Sequence, residues 1–565
     1  MGASPRRVLL LVLLLTAALN VVPMADESWL QSYDGETHLF FADHYLRGWW
    51  DAWEEKWMQG FWVYSYPPLV HQLIALGGKA LNLETGYRAV QMLAVVAYPL
   101  GSWALSRELL GPEAADHTVL LSVAPAGMYL ALYSFGQLPT IVGLVLMLFA
   151  LTMLVRYLRH GRPVQLLAWT ALAGAAFGAH HFTAIFGLVP AAVAMTVHAA
   201  LASRERPLRP LLTRGVVAGL LMAAVAVLAI IPFWWWTLTQ RGVVAEIPHP
   251  TRLAFLQIPE FRDLFFLRTY GVSLVFLPFA VLWFLRGRSR WPLAALMTTW
   301  IVLGLGGNTS VPRQLLGGLW TYLVYDRFAL MAAMLAPVAA GEWLAAAGTR
   351  VRRIAIIGLL VPAVLISAGA AVYTRTKELL PPLQAWERVE MRRFLETENH
   401  AAWYYLTLGL GDNEFQHLSR ITSARTIDGY YTTARTRREL RESRAGSFDA
   451  TFYFVGGRAA LQPVLEQPDA WNLKWALVRD ARYDPLLEEA GWRKAYPLGS
   501  DAAWKPGDPV HSTVMIWYVP RAVPVIAERE PAVPPLLPWL WGLAPLGLLA
   551  VGVGLSTSEL RKPSP

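Results

Sequence analysis

A polytopic, all-α membrane domain of about twelve helices, with a small mixed α/β domain near its C-terminus, is the fold class this sequence predicts. Three observations carry the prediction. Apolar runs long enough to cross a bilayer recur from residue 8 to residue 373 and again near 535–555. Only 16% of the 565 residues are charged, against about 25% in a soluble protein. The arginines fall in short clusters between the apolar runs, the pattern that orients spans rather than the basic face of a nucleic-acid-binding protein. There is no cysteine, which excludes disulfides, zinc–thiolate sites and thiol catalysis.

The clusters order the spans. Arg6 and Arg7 precede the first, at 8–24; Arg107 follows one at 87–106; Arg156, Arg159 and Arg162 follow one at 139–156. Arg204, Arg206, Arg209 and Arg214 come after a double apolar stretch at 164–200. Arg286, Arg288 and Arg290 separate spans at 269–285 and 291–307; Arg350, Arg352 and Arg353 separate those at 320–346 and 354–373; Arg561 and Lys562 follow the last. With every cluster cytoplasmic the spans alternate consistently, and both termini lie inside. One condition attaches: residues 66–82 must not cross. Tyr66-Pro67-Pro68-Leu69 then opens a helix lying at the outer surface, with proline in its first turn, where a missing N–H costs little. Pro23-Met24-Ala25 would allow signal cleavage, but the long apolar core favours a retained anchor.

This divides the chain into a transmembrane domain at 1–373, with its first outer loop at 25–86, an extracytoplasmic α/β domain at 374–534, and a final span with a short cytoplasmic tail at 535–565. In the α/β domain, Glu387 to Arg393 reads as an amphipathic helix. Thr451–Val455 and Ser512–Val519 read as strands, being rich in aromatic and β-branched residues.

The chemistry-bearing residues gather on the outer side. Asp34 and Glu36 flank Gly35 just beyond the first span. A carboxylate there can act as general base toward an acceptor hydroxyl, because burial near lipid raises its pKa toward the working range. The pair could also hold a divalent cation through oxygen ligands. The competing reading is an ordinary solvated acidic loop. His38 falls four residues after Asp34, so a helix would put both on one face. His44, His71, His180 and His181 lie at the same level, but their spacing matches no zinc pattern and no metal site is assigned. Trp49, Trp53 and Trp57 have helical spacing, which reads as an interfacial helix anchored by tryptophan.

Tyr325-Asp326-Arg327-Phe328 sits inside an apolar stretch, where charges are functional or paired. Arg327 suits a lipid phosphate, because its donors form a planar fork. The competing reading is an ion pair to another span. Arg313 and Arg268 are weaker candidates for the same task.

Asp34-Gly35-Glu36-Thr37-His38, Tyr66-Pro67-Pro68-Leu69 and Tyr325-Asp326-Arg327-Phe328, set in this layout over residues 1–370, resemble the GT-C superfamily of membrane glycosyltransferases. They look like the bacterial and archaeal membrane proteins often labelled "6-pyruvoyl-tetrahydropterin synthase-related", although nothing in the chain suggests a pterin enzyme. The resemblance implies that Asp34 is the base or orients the acceptor, and that Arg327 lies where a donor phosphate is held. It also implies a second acidic residue in the next outer turn, where this chain has Gln137 in Ser134-Phe135-Gly136-Gln137-Leu138; a two-carboxylate metal site is thereby weakened. The implied activity is inverting transfer from a polyprenyl-phosphate-linked sugar to a glycan, lipid or protein acceptor of the cell envelope, at the outer face of the plasma membrane. Catalytic Asp34 and Glu36 would act with substrate-binding His38, Arg327, Asp326, His180, His181 and Arg313. The rival classes are a transporter or lipid flippase, and a non-catalytic envelope assembly protein presenting 374–534.

Overall fold

A computed structural model describes residues 5–25, 32–123, 126–203, 208–239, 249–258, 270, 277, 280–282, 284–376, 383–397, 399–443, 446–453, 456–498, 510–521, 523 and 532–561. The chain is mostly helical and is built as a multi-pass membrane protein. Seven helices among the described residues are long and apolar enough to cross a bilayer: Arg7–Ala25, Leu83–Leu110, Leu138–His160, His181–Ala202, Leu208–Ala229, Asp326–Ala346 and Leu536–Arg561. Pro163–Ala179 is a shorter apolar helix. The span expected at 269–285 falls largely outside the described residues.

The first helix, α1 (Pro5–Ala25), leads to α2 (Gly35–Arg47), a short hairpin of β1 (Trp53–Glu54) and β2 (Phe61–Trp62), and α3 (Leu69–Ala80). α3 starts directly after Pro67-Pro68 and has only 12 residues, about 18 Å of helix, too short for the ~30 Å hydrocarbon layer. It folds back on α4 (Leu83–Leu110), whose Asn82 caps Thr85 N at 2.8 Å. The two helices touch at backbone level. A Cβ on Gly86 would lie 2.5 Å from Ile74 O, so only glycine fits there.

The tryptophan-rich stretch is not the helix that its spacing suggests. Met58 and Gln59 take positive φ (57° and 58°) and Gly60 follows at 90°, which turns the chain into the β1–β2 hairpin. Trp57 is fully buried, stacked on Phe40 at 3.7 Å between ring centroids, and its indole N–H donates to Ser419.

The C-terminal sheet has five strands in the order β4-β3-β5-β7-β6. These are β3 (Tyr404–Leu408), β4 (Arg425–Thr426), β5 (Leu473–Asp480), β6 (Arg493–Pro497) and β7 (Val510–Tyr518). β3 runs parallel to β4 and β5, while β7 is antiparallel to β5 and β6. β7 fulfils the strand expectation at 512–519, and the helix Ala385–Glu396 the one at 387–393. The strand expected at 451–455 is instead a single 3₁₀ turn, Thr451–Tyr453, leading to Gly456 with φ +81°. Residues 454–455 lie outside the described residues.

One sheet face builds a core with the first loop: Phe40, Phe41, Trp57, Met58 and Phe61 pack with Tyr404, Leu406, Leu408 and Ile427. Residues 56–58 also extend the sheet beyond β4. Thr426 N donates to Lys56 O at 2.8 Å, and Met58 N to Thr426 O at 3.0 Å. The other face covers Met391, Phe394, Leu395 and Tyr405.

Candidate functional site

Asp34 stands at the N-cap of α2, where a carboxylate ordinarily accepts from the first-turn N–H groups. Here it makes no such bond, so its oxygens remain available. Its position is fixed by backbone. Tyr33 N and Asp34 N donate to Ser134 O (3.1 Å) and Phe135 O (3.2 Å) of the turn before the helix Leu138–His160. Gly136 in that turn has φ +70°, and a Cβ there would lie 2.7 Å from Gly35 N and 2.9 Å from Asp34 N. Only glycine allows the two segments to meet.

His38 ties the same turn from the other side. Its Nε2 bonds Gly136 O at 2.8 Å, and its Nδ1 lies 3.0 Å from His71 Nε2 on α3. A carbonyl only accepts, so His38 Nε2 carries a proton and donates to Gly136 O. Burial lowers the His38 pKa to about 4 and holds that of His71 well below its ordinary value, so both rings are neutral at physiological pH.

Asp326 and Arg327 begin the helix Asp326–Ala346, behind Tyr325, whose N–H donates to Thr251 Oγ1 at 3.2 Å. Gln137 Nε2 donates to Asp326 Oδ2 at 3.4 Å. The amide therefore touches a carboxylate in the turn where the resemblance implied an acid. Arg327 lies over the Phe182 ring, 5.4 Å from its centroid. Its Nε is buried without a hydrogen-bond partner, and among the described residues no carboxylate pairs with it. The charges of Arg327 and Asp326 both act on Asp34. Burial raises the Asp34 pKa from 3.8 to about 6; Arg327 opposes the rise and Asp326 adds to it.

Glu36 differs from its neighbour. Its carboxylate accepts from Arg420 Nε (2.9 Å) and from His417 Nδ1 (3.1 Å) of the C-terminal domain. Burial alone would raise its pKa, but Arg420 and His417 together bring it down to about 2. A carboxylate so paired is a weak base.

His180 is buried and caps the next turn, Thr183 N donating to its Nδ1 at 3.3 Å. His181 packs edge-on against Phe233 at 4.4 Å. The electrostatic influence of Arg327 and His38 reaches His180, so the 180–182 turn borders the same space. Arg313 is exposed on the helix Val311–Leu316 and joins none of these groups by a hydrogen bond or ion pair among the described residues. Arg268 lies outside the described residues. Among the described residues, no group of three or more His, Asp or Glu side chains is placed to hold a metal ion.

Sequence reasoning missed two contributors. Tyr66 and Tyr431 pack at 4.7 Å between centroids, and the Tyr431 hydroxyl donates to Ser65 O at 2.9 Å. Asp34 and Arg327 act on Tyr66, and Arg327 on Tyr431. Tyr66 belongs to the helix-opening motif Tyr66-Pro67-Pro68-Leu69, and its place beside Tyr431 depends on a tertiary contact no local pattern encodes.

The fold is shared with solved membrane glycosyltransferases of the GT-C type. The apo oligosaccharyltransferase of Archaeoglobus fulgidus superposes with a TM-score of 0.52 at 13% identity, over 87% of this chain and 74% of that one. Apo ArnT from Cupriavidus metallidurans gives 0.51 at 13% identity, over 90% and 97%. The arabinofuranosyltransferase AftD from Mycobacteria gives 0.56 at 14%, over 93% of this chain but 40% of that one. No curated protein matches the chain by sequence. Residues 2–411 match the profile described as a family of unknown function, DUF6541, and the chain belongs to that family.

Proposed function

We propose that the protein is an inverting glycosyltransferase that takes a sugar from a polyprenyl-phosphate carrier at the outer face of the membrane and passes it to a hydroxyl of an envelope glycan, lipid or protein. The observation that carries this reading is a half-buried Arg327, whose Nε is buried without a hydrogen-bond partner, within electrostatic reach of an uncommitted Asp34. A buried guanidinium nitrogen is ordinarily hydrogen-bonded, so one left unmatched within electrostatic reach of a carboxylate tuned to about 6 fits a site that awaits an anion.

The chemistry follows from the groups. The Asp34 carboxylate removes the proton from the acceptor hydroxyl. The freed oxygen pair attacks the anomeric carbon from the face opposite the carrier, forming the new glycosidic bond with inversion. The bond from that carbon to the phosphate oxygen breaks, and its electron pair leaves with the phosphate, whose charge Arg327 offsets. Burial keeps the Asp34 pKa high, and Asp326, held by Gln137, adds to the rise. The neutral His38–His71 pair holds the turn in place.

The fold likeness supports the class of donor. The Archaeoglobus fulgidus enzyme AglB, at a TM-score of 0.51, has been solved with a dolichol-phosphate and an inhibitory peptide. The motif likeness to the pterin-synthase-labelled membrane proteins stands as a likeness of short motifs. On this reading α2, α3 and residues 374–534 are extracytoplasmic. Glu36, proposed from the sequence as a second catalytic acid, is assigned to holding the C-terminal domain, and Arg313 is given no role. The test is a deletion strain complemented with wild type or Asp34→Asn. Lipid-linked sugar that accumulates in the deletion and clears with wild type, but not with the variant at equal protein level, supports the reading. Full clearance by Asp34→Asn refutes it.

A further inference from the structure

The first turn of α2 is held from two sides. On one, His38 reaches Gly136 and His71. On the other, the adjacent Glu36 and Thr37 reach across to a single helix of the C-terminal domain, Asp412–Ile421. Arg420 grips Glu36 through Nε at 2.9 Å, and its Nη1 spans to Glu84 Oε1 at 3.0 Å on α4. Thr37 Oγ1 donates to Gln416 Oε1. Lys56 Nζ donates to Arg420 O at 3.2 Å. Glu36 is 2% exposed and the Arg420 side chain 9%, so the bridge is shielded from water and its geometry is directional. Asp34 alone among the polar side chains of this turn is left uncommitted.

We propose that Arg420, with Gln416 beside it, positions the Asp34 turn through Glu36 and Thr37, so that the C-terminal domain is a working part of the transfer site. This rests on the reading of Asp34 as the base. Arg420 touches no substrate on this account; it is a positioning residue. Glu36 and Asp34 lie within one helical turn of ~5.4 Å, so a shift at Glu36 is passed to Asp34 with little loss. A misplacement of about 1 Å at a reacting group can cost ~100-fold in rate. Through this bridge Arg420 sets kcat without itself touching the donor phosphate, which lies on the Arg327 side.

The experiment uses the purified full chain in nanodiscs and the deletion strain. Hydrogen exchange of the 34–47 segment is compared between wild type, Arg420→Gln, Arg420→Lys and Glu36→Gln. Arg438→Gln, which breaks an exposed pair with Glu442 elsewhere in the same domain, serves as control. Undecaprenyl phosphate is the binding probe. We expect Arg420→Gln and Glu36→Gln to raise exchange in 34–47 at least tenfold, to reduce complementation at equal protein level, and to keep undecaprenyl-phosphate affinity within twofold. Arg420→Lys recovers part of each loss, and Arg438→Gln changes none. Glu36→Gln preserves side-chain size and answers the case in which Arg420→Gln does not fold. Unchanged exchange or full complementation in both bridge variants overturns the proposal. So does a parallel loss of phosphate binding, since that reports general unfolding. Full complementation by Asp34→Asn instead brings down the transferase reading, a distinct outcome.

Discussion

Replacing Asp34 by asparagine should abolish transfer and, at neutral pH, make the protein more stable. The sign follows from the pKa. Burial raises the carboxyl from 3.8 to about 6, so the folded chain holds a proton that the unfolded chain releases well below pH 6. Folding is then favoured by low pH, and the cost of the buried charge is fully present above about pH 7. Each pKa unit corresponds to about 1.4 kcal/mol, so a shift of roughly two units costs about 3 kcal/mol at most. Asparagine removes that cost while keeping the shape. With an unfolding entropy of about 2.1 cal/mol/K per residue, a chain of 565 residues converts it to a rise in Tm of roughly 2–3 °C. The gain should be full at pH 7.5, about half near pH 5 and nearly absent near pH 3, below the unfolded carboxyl's own pKa. Thermal unfolding of detergent-purified wild type and variant at these three pH values reads it, beside complementation. A fall in Tm for Asp34→Asn at pH 7.5 would refute the reasoning, because it would make Asp34 a structural partner and not a base held at a cost.

Transfer in membranes should rise with pH through a midpoint near 6 as Asp34 ionises, and a flat profile between pH 5 and 7 would move the base elsewhere. Arg327→Ala should weaken undecaprenyl-phosphate binding by roughly ten- to a hundredfold. Arg327→Lys should recover only part of that, because the charge returns without the fork; undiminished binding by Arg327→Ala ends the phosphate assignment. Gly136→Ala should reduce complementation and lower Tm, since φ +70° and a Cβ 2.7 Å from Gly35 N leave alanine strained by about 1–3 kcal/mol; wild-type behaviour would show that the turn can separate from α2. Single cysteines introduced at His160 and Arg206 of this cysteine-free chain should resist an impermeant label applied outside, and labelling there overturns the proposed orientation.

The parts legible in the sequence were those set by short-range rules. Tyr66-Pro67-Pro68-Leu69 marks the start of α3 because proline is tolerated in a first turn and stops what precedes it. Asp34 to His38 could be placed on one face once a helix was assumed, and α2 begins at Gly35. Arg327 stood out because a charge in an apolar stretch needs an explanation. The failures share one cause. The 49–57 tryptophans have helical spacing, but Met58 and Gln59 accept left-handed backbone because the sheet buries Trp57, a gain that spacing does not encode. Thr451–Tyr453 has strand composition, but β-propensity measures fit to a pleated, half-buried surface, and among the described residues no strand pairs with this segment. The bond from Arg420 to Glu36 spans 384 positions, a partner no local pattern offers.

The extension of the sheet by residues 56–58 also bears on how the chain is made. The segment that completes the β4 edge is synthesised more than 360 residues before Thr426, its partner. Until then Phe40, Trp57 and Phe61 lack the strands that cover them. Contacts of such long sequence separation form late and leave sticky intermediates. During synthesis the aromatic face of the first loop therefore stays uncovered until the strands of the C-terminal domain have been made.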